Sequence, residues 1–394
     1  MSSRGVNPLR RRHRLELITS LRKDGPASRA DLVRRTGLSR VTVSGLVADL
    51  IERSIVVERG QQTAEGSAGR RPTVLGLGPA AGSVLGVDFG HTHLRVVAAD
   101  LSGEVLAEEH RALDVDRSAG EALDQAAGLI DALLEEAGVD RADVAGVGMG
   151  LPGPIDRQTG EVGSSVILPG WAGLRPADEL QRRLELPVEV DNDANLGVLA
   201  EVVFGSARGA DDVVYVKVSS GVGAGLFVGG RVHYGASGVT GELGHTIIDP
   251  AGSLCRCGNR GCLETRAAAP ALLEILRPQH ADDLTSGDMV RLANGGDVGC
   301  RRVLEDAGQL IGRALADVCN LLNPEVIVVG GELGGAGESL LIGIRTAVDR
   351  FALPAVATAV DVRAGQLGPR AEVLGAVALI IRDGDRMSRS LKAA

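Results

Sequence analysis

Residues 84–90 read VLGVDFG, an apolar run typical of a buried β-strand that ends in an aspartate and a glycine. A similar layout recurs at 213–230, where the run VVYVKV leads through the loop SSGVG into a further strand pattern. Helical segments follow each of the two units. This repeat of strand, glycine loop and strand predicts two α/β lobes that face each other across a cleft.

The two glycine loops have a chemical interpretation. Glycines such as Gly90, Gly221 and Gly223 let backbone N–H groups approach a phosphate without hindrance from side chains. Asp88, at the end of the first strand, is a candidate to hold Mg²⁺ or its waters. The alternative is that each loop is only a tight turn, which needs glycine in any case.

The chain has 394 residues, enough for two or three domains with a sizeable buried core. Its composition, 44% hydrophobic and 24% charged, is that of a globular protein and excludes collagenous or largely disordered classes. Its apolar runs do not reach the roughly 18 residues of a membrane span, and the arginine-rich start lacks the apolar region of a secretory signal. We therefore expect a cytoplasmic protein with no membrane partner.

Charge is divided unevenly along the chain. Residues 1–72 hold 15 Lys and Arg against 7 Asp and Glu, whereas the other 322 residues hold 27 against 44. The net charge of −9 therefore combines a basic segment of +8 with an acidic remainder of −17. A basic segment of this kind indicates a polyanionic partner, and the alternative is an unstructured basic tail.

The basic segment has the pattern of a winged helix-turn-helix. One helical pattern ends before Gly25-Pro26, a capping box of Ser28 and Asp31 begins a second, and a third follows Gly37. Two strand patterns, at 55–59 and 73–75, can pair as the wing. The candidate DNA-contacting residues are Ser39, Arg40, Thr42 and Ser44 on the third helix and Arg70 and Arg71 at the wing tip. A module that docks another protein is the alternative.

Three of the five cysteines fall within eight residues, which indicates metal ligation rather than a disulfide framework. His245, Cys255, Cys257 and Cys262 form the pattern H-x9-C-x-C-x4-C, a complete Cys₃His set for tetrahedral zinc. Because four protein ligands leave no position open for water, we expect the zinc to be structural. The alternative is a chance group of buried thiols, and Cys300 and Cys319 are expected to be ordinary helix residues.

Residues 186–190 read LPVEV, a short strand that delivers Asp191, Asn192 and Asp193 at its carboxyl end, where open α/β sheets bind ligands. An Asn–Asp pair suits adjacent hydroxyls of a sugar. This motif is one of five that together resemble the ROK family of repressors, open reading frames and sugar kinases, in its DNA-binding branch. The five motifs are DFGHT at 88–92, GLPGPI at 150–155, DNDAN at 191–195, GELGH at 241–245 and CRCGNRGCLE at 255–264.

The resemblance extends from the helix-turn-helix to about residue 381 and implies the two-lobed actin/hexokinase-like (RNase H-like) α/β fold. The implied division is a winged helix-turn-helix at 1–77, a linker at 78–83, a small lobe at 84–192 and a large lobe at 193–394. The C-terminal helix is expected to return to the small lobe. The resemblance also implies homodimers or tetramers, which suit a palindromic operator.

By the same resemblance, the sugar-binding positions are Asn192, Asp193, Glu242, His245 and Glu264. In kinase members the aspartate that matches Asp193 is the general base that deprotonates a sugar hydroxyl as it attacks ATP held with Mg²⁺. The resemblance adds Thr92, Gly330 and Gly331 to the candidate nucleotide-binding positions. The Gly330-Gly331 turn resembles the adenosine-side turn, although the fold itself can account for it.

Several kinase features are altered. The first phosphate loop has His91 where kinases have glycine and His93 where they have lysine, and the second places Val222 within its glycine core. We therefore expect a sugar-responsive DNA-binding transcriptional regulator, a repressor of carbohydrate genes that sugar releases. The alternatives are an ATP-dependent sugar kinase that retains a DNA-binding domain, and a regulator that senses a sugar phosphate or a partner protein.

Overall fold

A computed structural model of the chain describes residues 8–61, 73–78, 81–163, 167–280 and 283–382. Within these residues the chain forms an N-terminal three-helix domain with a small sheet, followed by two α/β lobes built on five-stranded sheets. None of the described helices combines the length and the apolar character that crossing a bilayer requires.

The N-terminal domain, here called the head, is the winged helix-turn-helix that the sequence predicts. Its elements are α1 (Pro8–Asp24), β1 (Ala27–Ser28), α2 (Arg29–Thr36), α3 (Arg40–Glu52), β2 (Val56–Gln61) and β3 (Thr73–Leu77). The Ser28–Asp31 capping box begins α2, and Gly37 ends it in the left-handed region at φ 70°. The wing strands pair in the order β1-β3-β2, all antiparallel.

The head packs directly against the lobe that follows it in the chain. Its buried residues, among them Leu17, Leu50 and Leu77, form one continuous hydrophobic cluster with Val84 and Ile380 of the following lobe. Two ion pairs join the same surfaces, because the Arg59 guanidinium contacts the carboxylates of Asp100 and Glu104. The head and that lobe therefore share one hydrophobic core.

The first lobe is built on β4 (Ser83–Phe89), β5 (His93–Asp100), β6 (Val105–Ala112), β7 (Val144–Leu151) and β8 (Val188–Asn192). The sheet order is β6-β5-β4-β7-β8, antiparallel on the β5–β6 side and parallel on the β7–β8 side. Helices α4 (Ala119–Glu136) and α5 (Pro176–Leu184) pack on it. Strand β6 pairs with nearly the whole length of β5.

The second lobe repeats this topology. Its strands are β9 (Val213–Val218), β10 (Val222–Val228), β11 (Arg231–Val232), β12 (Val326–Gly330) and β13 (Asp361–Ala364), in the order β11-β10-β9-β12-β13. Its helices are α7 (Glu264–Ala267), α8 (Ala269–Leu276), α9 (Ser286–Asn294), α10 (Val298–Leu322), α11 (Gly331–Gly334), α12 (Glu338–Phe351) and α13 (Pro354–Ala359). The shared strand order bears out the internal repeat.

Two helices lie between the lobes. The first, α6 (Asp193–Val203), begins where β8 ends, and the second, α14 (Ala371–Arg382), is the last described element. They cross closely at Gly375, where any side chain would collide with the backbone of Leu196. Helix α14 also packs on β4 and β7, so the end of the chain returns to the first sheet. The domain boundaries given above remain predictions.

Candidate functional site

A cavity of about 680 Å³ lies between the two lobes. The β4–β5 turn and Pro152-Gly153 line it from the first lobe, and the β9–β10 turn and the 240–245 loop line it from the second. The N-terminus of α6 reaches the cavity between them. A cleft of this size, lined by several polar side chains, is the usual form of a small-molecule site.

Asn192 and Asp193 line this cavity at the junction of β8 and α6. Asn192 is the N-cap of α6, and its Oδ1 accepts hydrogen bonds from the backbone N–H groups of Ala194 and Asn195. Its Nδ2 donates to the Gly153 carbonyl at 3.0 Å. Both ends of the Asn192 amide are therefore held by hydrogen bonds. Its Nδ2 group connects the β8–α6 junction to the loop after β7.

Asp193 is held by a lysine that the sequence analysis did not select. Lys217 Nζ, on β9, donates to Asp193 Oδ2 at 2.8 Å and lies 3.3 Å from Glu372 Oε1 of α14. The sequence did contain a signal for this lysine, because Lys217 is the one charged residue within the apolar run of residues 213–218. Glu372 gave a similar signal as a buried carboxylate in the apolar helix α14.

The charges around Lys217 favour its ammonium form. Burial alone would lower the pKa of Lys217, but the carboxylates of Asp193, Glu372 and Asp88 outweigh burial and raise it. Burial raises the pKa of Glu372, and the neighbouring lysine offsets part of that rise. Asp193 therefore lies beside a buried cation, and its Oδ2 already accepts a hydrogen bond from that cation.

The other predicted sugar positions line the opposite wall of the cavity. Glu242 lies at the turn that precedes His245, and burial raises the pKa of its carboxyl group. Glu264, at the start of α7, accepts hydrogen bonds from Arg256 Nε and Nη2 at 3.1 and 3.0 Å. Arg256, another residue that the sequence analysis did not select, also lies over Gly221 and so joins this wall to the β9–β10 turn.

The four predicted metal ligands converge. His245, Cys255, Cys257 and Cys262 each offer one ligand atom, and these four atoms lie within 4.8 Å of one another. The Cys255 Sγ to His245 Nδ1 and Cys257 Sγ to Cys262 Sγ distances are both 3.6 Å. Such distances are those of neighbouring corners of a tetrahedral site. The group can therefore hold a metal ion.

Tight backbone turns create this arrangement. Gly258 and Gly261 have φ values of 93° and 66°, a region that favours glycine. His245 presents Nδ1 to Cys255, while its Nε2 lies 3.7 Å from Glu242 Oε2 on the cavity side. Of the remaining cysteines, both buried in α10, Cys300 also lies 3.8 Å from His280 Nε2.

The first phosphate loop is obstructed by His93 rather than by His91. The His93 ring packs against Gly90, and its Nε2 lies 3.0 Å from Asp88 Oδ2. His91 instead turns away to Asp116, with Nδ1 2.8 Å from one carboxylate oxygen. Burial would raise the pKa of Asp88, but the contact with His93 and the charges of Lys217 and Arg95 together outweigh burial and lower it. His93 thus contacts the Asp88 carboxylate, which was the candidate ligand for Mg²⁺.

The remaining nucleotide-side candidates have structural reasons to be small. Thr92, Gly221, Gly223 and Gly331 line the cavity. Gly331 has φ 72°, and a side chain there would come within 2.6 Å of the Val218 carbonyl oxygen. At Gly330 a side chain would overlap the ring of Tyr215. The fold alone therefore requires glycine at both positions of that turn.

In the head, the predicted contact residues gather at the start of α3. Ser39 is the N-cap, and its hydroxyl also bonds the Thr42 hydroxyl at 2.8 Å. Arg40 and Ser44 are exposed beside them. Val41, which is 84% exposed, is an apolar side chain on the same surface that the sequence analysis missed. Arg70 and Arg71 lie outside the described residues.

Comparison with known proteins identifies the fold and the family. The ROK family model matches residues 84–383, which is most of the chain. The chain belongs to the ROK family. A solved ROK family transcriptional regulator, described as a homologue of the Escherichia coli Mlc protein, superposes with a TM-score of 0.73 at 26% identity and covers 98% of this chain and 100% of its own. The two-lobed fold and the winged head are therefore confirmed.

Two further relatives differ in how much of this chain they match. The xylose repressor of Bacillus subtilis is 30% identical over 367 residues, covering 93% of this chain and 94% of its own. A ROK glucokinase from Streptomyces griseus, solved with glucose and AMPPNP, is 29% identical with a TM-score of 0.67, and it covers 76% of this chain and 99% of its own. The repressor therefore matches head and lobes together, whereas the kinase leaves about a quarter of this chain unmatched.

Proposed function

We propose that this ROK family protein is a sugar-responsive DNA-binding transcriptional regulator, a repressor that sugar releases from its operator. The observation that carries the proposal is the continuous core that joins the head to the first lobe. A ligand that changes the angle between the lobes would move the head with it. The similarity to a xylose repressor along nearly the whole chain supports the same function.

The mechanism is a linkage between two binding equilibria. Sugar bound in the interlobe cavity favours the closed arrangement of the lobes, and operator DNA favours the other. Candidate hydroxyl partners are Asn192, Asp193, Glu242, His245 and Glu264 from the two walls. Because a ligand that touches both walls gains contacts only on closure, its differential affinity drives the change.

The cysteine and histidine group would hold zinc as a structural ion. A zinc ion bound by His245, Cys255, Cys257 and Cys262 supplies a fixed crosslink across the 246–262 segment. His245 would then keep its Nδ1 on the metal and its Nε2 towards Glu242. By this route the metal orients the sugar-binding wall without taking part in chemistry.

DNA binding is proposed to use two heads of a homodimer or of a dimer pair. The side chains of Ser39, Arg40, Thr42 and Ser44 would face a major groove, with Arg70 and Arg71 of the wing directed at the neighbouring minor groove. A palindromic operator would match the two-fold axis, with half-sites one helical turn or a multiple of it apart. Lobe closure would change the spacing of the heads and so release DNA.

Gel shift on the DNA upstream of the gene, with and without a panel of neutral sugars, tests this function. We expect a salt-sensitive complex that one sugar weakens by about 5- to 150-fold, the usual range of allosteric coupling. Glu264→Gln should keep DNA binding and lose the sugar response, because Glu264 lies on the cavity wall and outside the head. Absence of any complex with nearby promoter DNA at low salt would contradict the proposal.

Phosphoryl transfer is the second candidate, because Asp193 still faces the cavity from the N-terminus of α6. The contacts of Lys217 with Asp193 and of His93 with Asp88 argue against it. We expect no sugar-dependent release of ADP in a coupled assay with ATP, Mg²⁺ and the same sugars. Turnover that Asp193→Ala abolishes would instead establish a kinase.

Arg40→Ala should lower operator affinity by about 10- to 100-fold and reduce the salt dependence of binding, since it removes an exposed guanidinium at the start of α3. The matched control is Arg302→Ala, an exposed arginine on α10 of the second lobe. Fluorescence anisotropy with a labelled operator measures both. Equal affinities for the two variants would exclude α3 as the recognition helix.

A further inference from the structure

A second cavity lies beside β10, β11, α6 and the end of α14, with a volume of about 620 Å³. Three arginines, Arg157, Arg231 and Arg382, line it together with His233, and its lining contains no aspartate or glutamate. We call it the arginine pocket. Its charge contrasts with the net −17 of residues 73–394, so it is a local site for anions on an acidic body.

The arginines of this pocket are available to a ligand. Among the described residues, none of the three forms an ion pair, whereas Lys217 and Arg256 of the interlobe cavity each contact a carboxylate. Arg157 lies over the ring of Tyr234 at 3.7 Å, and Arg382 lies 5.2 Å from the ring of Phe227. These aromatic contacts orient the guanidinium groups. Arg382 Nη2 also donates to the Gly230 carbonyl at 3.2 Å, and Arg157 lies near the Asp191 carboxylate. Among the described residues Arg231 has no such side-chain contact, so its donors are the ones most open to a ligand.

The other lining residues suit a ligand that is larger than an inorganic anion and partly apolar. Leu199 and Phe227 are buried, and together with Leu379 they give the pocket an apolar floor. Guanidinium groups bind phosphate through paired N–H donors, and the volume falls in the range of sites that hold whole metabolites. We propose that the arginine pocket binds a phosphate ester of a small molecule, with the phosphate on the arginines and the organic part on the floor.

The pocket is connected to the interlobe cavity by a short chain of hydrogen bonds. Tyr234 Oη donates to Asp191 Oδ2 at 2.7 Å. The other oxygen of Asp191 accepts from Asn195 Nδ2 at 2.9 Å and from the Asn192 N–H at 2.7 Å. Asp191 directly precedes Asn192 and Asp193 of the cavity wall. A ligand that moves Tyr234 therefore acts on the residues that position the β8–α6 junction.

This connection gives the pocket a regulatory role that rests on the proposed function. The phosphate ester would act as a second signal that shifts the sugar response without competing for the sugar site. Binding itself does not depend on that role, so the two can be measured apart. The aliphatic stem of Arg157 packs against Gly238, where a side chain would come within 2.9 Å of its Cγ.

Isothermal titration of the full chain with inorganic phosphate, glucose 6-phosphate and AMP tests the binding. We expect at least one ester to bind about tenfold or more tightly than inorganic phosphate, because only an ester also covers the apolar floor. Arg231→Gln should weaken that binding about tenfold or more, and the control Arg302→Gln should not. Glu264→Gln, a change on the wall of the interlobe cavity and outside the arginine pocket, should leave it unchanged.

Three outcomes would overturn the proposal. Loss of binding in Glu264→Gln but not in Arg231→Gln would place the ester in the interlobe cavity. Binding that appears only after residues 383–394 are deleted would mean that the end of the chain occupies the pocket. A loss of operator affinity in Arg231→Gln without any added anion would make the pocket a DNA contact.

Tyr234→Phe separates coupling from binding. It keeps the ring beneath Arg157 but removes the hydroxyl that contacts Asp191. We expect the ester to bind with unchanged affinity while its effect on sugar-induced DNA release disappears. If the effect persists, the Tyr234–Asp191 contact is not the route. If sugar alone fails to release DNA from the unaltered protein, the proposed function fails while the binding result stands.

Discussion

Replacing Lys217 with methionine should lower the free energy of unfolding of the lobes by about 3–5 kcal/mol. Methionine matches the length and volume of the side chain but removes the ammonium group that contacts Asp193 and Glu372. The carboxylates of Asp193 and Glu372 then lose the ammonium group that they share. Urea unfolding followed by the fluorescence of Trp171, the single tryptophan of the chain and a buried residue, measures the change.

The pH dependence of the free energy of unfolding shows whether loss of the ammonium charge causes the destabilisation. In the unaltered protein the raised pKa of Lys217 keeps its contribution constant below the ordinary lysine pKa of about 10.4. In the variant, the carboxyl group of Glu372 keeps a pKa raised by burial, so stability is lost as pH rises above about 4.3. We therefore expect Lys217→Met to be closest to the unaltered protein at about pH 4, and the gap in stability to widen as pH rises.

A second substitution controls for simple loss of packing. Adding Glu372→Gln to Lys217→Met removes one of the uncompensated charges, so the double variant should recover part of the lost stability at pH 8. Glu372→Gln alone should cost less than Lys217→Met, since Lys217 keeps Asp193 as a partner. A double variant less stable than Lys217→Met at pH 8 would refute the electrostatic explanation.

Replacing Cys262 with alanine should abolish metal binding and lower stability by several kcal/mol, because three ligands no longer complete the tetrahedral set. The protein purified without chelator should contain about one zinc per chain, and the variant close to none. Atomic absorption and thermal unfolding measure the two effects. The sugar response should be lost too, since the ion fixes His245 beside Glu242.

Cys319→Ala is the matched control for that experiment. Cys262 and Cys319 are both fully buried, but Cys319 lies in α10 and is not part of the metal-ligating group. Its replacement should cost only about 1 kcal/mol, the ordinary effect of a small buried truncation, and leave the zinc content intact. Equal losses of stability with equal zinc contents would argue that the cluster binds no structural ion.

Much of the fold follows from local patterns in the sequence. The Ser28–Asp31 capping box and the turn at Gly37 fixed the helices of the head, because caps and left-handed glycines act within a few residues. The two strand–loop units predicted the two lobes. The outer half of β6, EEHRA at 108–112, is polar and has no strand pattern of its own, so only pairing with β5 makes it a strand.

The site was predictable only in part. The metal group follows from sequence spacing, because all four ligands lie within 18 residues of one another. Lys217 and Glu372 come from elements far apart in the sequence, and only the packing of β9 against α14 brings them to Asp193. The role of His93 was missed for a related reason, since the sequence indicates which histidine replaces lysine but not where its ring lies.

The common core of head and lobe bears on the engineering of biosensors from this chain. Exchange of DNA-binding domains between regulators usually assumes that a cut in the linker leaves two intact modules. Here a cut at residues 78–83 would expose Leu77 on one side and Val84 and Ile380 on the other. A functional chimaera therefore needs an acceptor lobe with a matching apolar face and a carboxylate opposite Arg59.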